Sequence, residues 1–98
     1  MNQEQISENR AKEYLDLGMN KYFGKDYQGA IEDFNQALNL NPDDADAYGN
    51  LCVVRYRIGE KRQALEDSKR AAVLYLKQGK IKQHQYALQM QNNLALSV

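Results

Sequence analysis

The chain has 98 residues and a mass of 11.3 kDa, enough for one domain and no more. Its 13 basic and 13 acidic side chains sum to zero, which argues against a dedicated nucleic-acid binder. The fractions of hydrophobic residues (43%) and charged residues (27%) describe a soluble globular chain rather than a disordered one.

Glycine and proline are sparse, apolar residues recur at helical spacing, and no run alternates with period two, so the sequence predicts helix throughout. The first helix is expected over about residues 8–23, with Tyr14, Leu17 and Gly18 on its inner face. Gly24 and Lys25 interrupt it, and Asp26 then caps a second helix over about 27–40 by accepting its orphan amide hydrogens. Ala30, Ile31, Phe34, Ala37 and Leu38 form one apolar stripe on that helix. Pro42 ends it, because the residue before a proline is pushed out of helical angles. Asp43 and Asp44 open a third helix over about 44–57, which Gly59 closes. A fourth helix covers about 61–78, with Ala64, Leu65, Ala71, Ala72 and Leu74 inward and Gly79 as a left-handed end cap. The fifth, about 80–95, is expected to turn Ile81, His84, Ala87, Leu88 and Leu94 inward.

The sequence also repeats itself. Displaced by 34 residues, Ala11 meets Ala45, Tyr14 meets Tyr48, Leu17 meets Leu51 and Tyr22 meets Tyr56. In the same register Ala30 meets Ala64, Glu32 meets Glu66, Asp33 meets Asp67, Ala37 meets Ala71 and Leu40 meets Leu74. Lys21 with Arg55 and Ile31 with Leu65 are conservative matches. A period of this size is the signature of stacked helical hairpins. Gly18 with Ala30, and Cys52 with Ala64, supply the small side chains that let two helices of a hairpin approach closely.

Those residues carry a family resemblance. Tyr14, Leu17-Gly18, Ala30, Phe34, Ala37 and Pro42 stand at the spacing of a tetratricopeptide repeat (TPR), and Ala11 to Asp44 resembles one such unit. Residues 45–78 resemble a second, through Tyr48, Leu51, Ala64 and Ala71. They depart from the pattern at Cys52 for glycine, Ser68 for the aromatic and Leu76 for proline. The missing proline predicts a fourth helix that runs long. Residues 79–95 resemble the single solvating helix that ends many TPR arrays, and the sequence style is similar to that of bacterial TPR proteins. The resemblance implies an all-α, TPR-type α-solenoid: one domain of two antiparallel hairpins and a C-terminal capping helix, five helices in all.

It also implies a non-catalytic scaffold that holds a peptide or helix of a partner protein in a concave groove. Fold alone does not name the ligand. By repeat position, Lys12, Leu15, Asp16, Met19, Tyr22 and Phe23 would face the groove from the first hairpin. Asp46, Gly49, Asn50, Val53, Tyr56 and Arg57 would face it from the second, with Lys80, Gln83 and His84 added by the last helix. Leu15, Met19, Tyr22, Val53 and Tyr56 would hold an apolar or aromatic anchor, or else pack against the terminal helix. Asn50 would bond a peptide backbone, and Arg57, Lys80 and His84 would attract an acidic group. Asn50, Lys80 and His84 also fall where some TPR domains grip a C-terminal carboxylate, but Leu15 and Met19 replace the polar residues of that grip.

Other chemistry finds little support. One cysteine and one histidine do not make a zinc site, and Cys52 at the hairpin contact reads as a buried, inert thiol. Ser7, Ser68 and Ser97 have no histidine near them in sequence, and no glycine-rich phosphate loop exists. No enzyme activity, cofactor or metal is therefore expected. Arg62, Lys69 and Arg70 fall on the solvated side of the fourth helix, so no nucleic-acid partner is expected either. The longest apolar run, Ala71 to Leu76, is far short of the ~20 residues of a membrane-spanning helix. The first five residues show no signal peptide, so no membrane partner and a cytoplasmic location are expected. The neutral total hides an asymmetry: residues 1–50 carry 4 basic and 10 acidic side chains, whereas residues 51–98 carry 9 and 3. An acidic front and a basic back could meet in a homo-oligomer through the repeat ends.

Overall fold

The computed structural model describes residues 2–98. They form five helices and no strand: α1 (Gln3–Phe23), α2 (Tyr27–Leu40), α3 (Ala45–Arg57), α4 (Lys61–Lys77) and α5 (Ile81–Ser97). Each helix packs on the next in chain order, giving a slab of 45 × 31 × 18 Å. The fold is an all-α solenoid.

Local chemistry sets the helix ends. Asn2 caps α1, its side chain accepting from Gln5 N–H at 2.8 Å, so α1 begins five residues before the apolar pattern suggests. Asp26 accepts from Gly29 N–H and Asp44 from Ala47 N–H, as expected of both. The α1–α2, α3–α4 and α4–α5 links share one turn. In each, a late amide reaches back five residues, Asp26 to Lys21, Glu60 to Arg55 and Lys80 to Tyr75, at 2.8 to 2.9 Å. The turn needs one residue at positive φ, and Gly59 (88°) and Gly79 (72°) provide it at no steric cost. In the first turn the position falls on Lys25 (67°), not on the neighbouring Gly24.

The core is layered between helices. Ala30, Ile31, Phe34, Leu51 and Val54 join α2 to α3, with Leu15, Met19 and Tyr22 of α1 packed against them. Ala45, Ala71, Ala72, Leu74, Tyr75 and Ala87 join α3, α4 and α5, while Cys52, Ala64 and Leu94 form a smaller cluster beside them. The Phe34 ring packs on Gly18, where an added Cβ would fall 2.5 Å from it. That glycine is what lets α1 and α2 approach.

Two expectations about inward faces are corrected. Leu17 is 48% exposed, although Leu51, its match one repeat later, is fully buried against α2. The side chain is the same, but no helix covers that edge of α1 among the described residues. Ile81 and Leu88 are likewise exposed, because α5 turns His84, Ala87 and Leu94 toward α4 instead.

The register of α5 has a traceable cause. Without a proline to stop it, α4 runs 17 residues where α2 runs 14, as the sequence predicts. The link that follows has three residues, where that between α2 and α3 has four. Helix α5 therefore starts 36 residues after α3, two more than the sequence period. Two residues on a helix are about 200° of rotation, so its faces are almost reversed relative to a continued repeat.

Candidate functional site

Among the clefts beside α3, two bring together residues singled out from sequence. The first, about 140 Å³, runs between α3 and α5 and is mostly apolar. Gly49, Asn50 and Val53 form one wall, Tyr86 and Met90 the other, and Ser68, Ala71 and Tyr75 of α4 lie beneath. Its floor is chemically quiet. Ser68 donates its hydroxyl to Leu65 O at 2.6 Å, and Cys52 is buried, with desolvation pushing its thiol up to about 11. Tyr75 donates to Asp46 Oδ1 at 2.6 Å, and burial raises its phenol above the ordinary value. The free surface is thus apolar contact area plus the amide of Asn50.

The second cleft, about 190 Å³, lies at the start of α3 and is charged. Glu8, Asp43, Asp44 and Asp46 line it together with Lys12, Leu15 and Lys80. Burial raises the Asp44 carboxyl, partly offset by the Ala47 amide that it caps. Four carboxylates around two lysines would repel a peptide C-terminus, so this cleft lacks the electrostatics of a carboxylate grip.

The residues singled out from sequence are distributed as follows. Asn50 and Val53 share the apolar cleft, and Leu15 and Lys80 the charged one. Met19 and Tyr22 pack on the α2–α3 core, half-buried. Arg57 donates to the Tyr22 hydroxyl at 3.1 Å and lies over its ring, so that pair bridges α1 and α3. His84 turns away from Asn50: its Nδ1 donates to Ala72 O at 2.7 Å. The two-residue shift of α5 explains that placement and brings Tyr86 and Met90 to the cleft instead. Both were missed by extending the period of 34. The long fourth helix was visible in the sequence, but the length of the turn after it was not.

An ion pair recurs in both hairpins. Lys21 meets Asp33 at 2.9 Å, and Arg55 meets Asp67 at 2.9 Å, both at the same repeat positions. The Asp33 bond raises the pKa of Lys21. Asp67 is more deeply affected: burial pushes its carboxyl up to about 6, even though Arg55 binds both oxygens. These pairs tie the helices of each hairpin together; they lie outside both clefts.

Comparison with known proteins agrees with this architecture. The TPR repeat family matches residues 22–59. The tetratricopeptide repeat protein 36 homolog of Nematostella vectensis is 35% identical over 65 residues. The chain therefore contains a tetratricopeptide repeat, within a TPR-like fold. The aligned part is 66% of this chain and 36% of that relative, so the match spans about a third of the relative's length. Among solved structures, a chain of the CopN-Scc3 complex superposes with a TM-score of 0.64 at 21% identity. That superposition covers 87% of this TPR chain and 58% of the other, and it supports the fold. TPR proteins are generally non-catalytic interaction modules.

Proposed function

We propose that this TPR domain binds a short segment of a partner protein in the cleft between α3 and α5, with one large apolar side chain of the segment as anchor. The supporting observation is the cleft itself. Val53, Tyr86 and Met90 converge on about 140 Å³, a space on the scale of one such side chain, and Tyr86 is 61% exposed with no core role to account for it. Asn50 at the rim offers a donor and an acceptor to the backbone of an extended segment. Leu15 and Lys80 in the charged cleft, and Met19, Tyr22 and Arg57 along α1 and α3, would carry the segment's flanks. His84 holds α5 on α4 and acts through that placement.

The test is selection from a random peptide display library. Recovered peptides should share a large apolar residue and lose at least tenfold in affinity on Val53→Glu or Tyr86→Ala, a hot-spot effect of more than about 1.4 kcal/mol. Melting of Tyr86→Ala should stay within about 0.5 kcal/mol of the parent, as for an exposed side chain. Peptides that bind the Val53→Glu and Tyr86→Ala variants as tightly as the parent would refute the reading.

A further inference from the structure

The apolar and charged clefts share one face of α3. Asp46, Gly49, Asn50 and Val53 stand at i, i+3, i+4 and i+7, so the wall of the charged cleft continues into the wall of the apolar one. Tyr75 joins the two: it lines the apolar cleft, and its hydroxyl donates to Asp46 Oδ1 of the charged one at 2.6 Å. Gly49, between them on α3, has no side chain to divide them. A segment lying along this face leaves one cleft and enters the other.

The charges of the second cleft select what enters it. Glu8, Asp43, Asp44 and Asp46 stand against Lys12 and Lys80, four carboxylates to two ammonium groups, a balance of −2 with all six ionised. Asp16 lies one turn beyond Lys12 on α1, and Lys82 one turn before Tyr86 on α5; these two cancel and leave the balance unchanged. Among the described residues no ion pair ties Lys12 or Lys80 to a carboxylate, so neither lysine neutralises the cleft at contact distance. Nor, among the described residues, do three acidic groups converge as metal ligands would. Dispersed carboxylates around about 190 Å³ suit a long organic cation, the side chain of arginine or lysine, with several donors to share among them.

We infer that the segment held in the α3–α5 cleft carries a basic residue beside its apolar anchor, and that this residue enters the charged cleft at the start of α3. The basic residue adds charge and spacing to the peptide-binding reading, on which it rests. Asp46 and Val53 are seven residues apart on one helix, about 10 Å at 1.5 Å per residue. An extended chain rises about 3.3 Å per residue, so the basic residue stands about three positions from the anchor.

The peptides recovered from the display library test this. They should carry arginine or lysine about two to four positions from the large apolar residue, always on the same side of it. Replacing that basic residue by alanine in a recovered peptide should weaken binding about fivefold, and Asp43→Asn together with Asp46→Asn in the protein should weaken the unaltered peptide as much. The two losses should not add: the alanine peptide should bind the parent and the doubly substituted protein alike. Added salt should weaken the basic peptide and spare the alanine one. Both aspartates are exposed, and an asparagine at 46 still accepts from Tyr75, so melting should be unchanged. Peptides that depend on Val53 and Tyr86 but carry no basic residue at that spacing, or that bind equally well after its replacement by alanine, would overturn this inference and leave the apolar cleft standing as the site. Peptides indifferent to Val53→Glu and Tyr86→Ala would overturn both.

Discussion

The two hairpins of this TPR domain share a backbone plan and an ion pair but close their cores differently. In the first, the aromatic ring of Phe34 fills the notch over Gly18, and Leu51 and Val54 of α3 pack on the cluster around it. In the second, Ser68 stands in place of the ring and Cys52 in place of the glycine. Neither is large enough to complete the layer, and Leu94 of α5 packs beside Cys52 and Ala64 to do so. Both hairpins therefore pack on the helix after them, but only the second relies on that helix to fill its notch. That dependence also fixes α5 against α4 and so forms the cleft lined by Tyr86 and Met90.

The largest test of this contrast is truncation of the matched residues. Phe34→Ala should cost about 3–5 kcal/mol in denaturant unfolding, the range for a buried phenylalanine. Ser68→Ala should cost less than about 1 kcal/mol, because its hydroxyl bonds only a carbonyl one turn back in its own helix. Equal costs would mean that the two notches are alike after all. Next in size, Leu94→Ala should cost about 2–5 kcal/mol, although it sits near the end of the chain. Hydrogen exchange should then speed up in α3, α4 and α5 before α1 and α2.

The ion pairs differ between hairpins too, and pH exposes the difference. Asp67 has its carboxyl raised from 3.8 to about 6, so the folded state holds that proton more tightly than the unfolded chain. Its contribution to stability is greatest below pH 4 and falls as pH rises toward 6, where the buried group must ionise. Carboxyl NMR should show Asp67 titrating near 6, and Asp67→Asn should remove that segment of the stability–pH curve. A midpoint near 4 would show that Arg55 fully offsets the burial. The smallest effect concerns the turns. Lys25→Gly should stabilise the protein by up to about 1 kcal/mol, because a lysine at φ 67° bears a steric cost that glycine avoids. Gly59→Ala should lose a similar amount in the other hairpin, as read from thermal melts.

Much of the scaffold was legible from residue types alone. Asp26 and Asp44 cap where acceptors next to apolar stripes must, and Gly59 and Gly79 take the left-handed turns, because these are local effects of one side chain on its own backbone. The candidate cleft was half legible. Asn50 and Val53 follow from their helix positions, whereas Tyr86 and Met90 depend on where α5 comes to rest.

The sequence by itself determined the helices, their pairing and the 34-residue spacing of equivalent side chains, since periodicity, caps and small-residue notches are written residue by residue. Only the tertiary structure decided which of two equivalent leucines is buried and which face α5 shows. Leu17 and Leu51 differ in the neighbour that covers them, and the rotation of α5 depends on a three-residue turn set against one extra turn of α4. Burial is a property of what lies across a contact, and no residue encodes that alone.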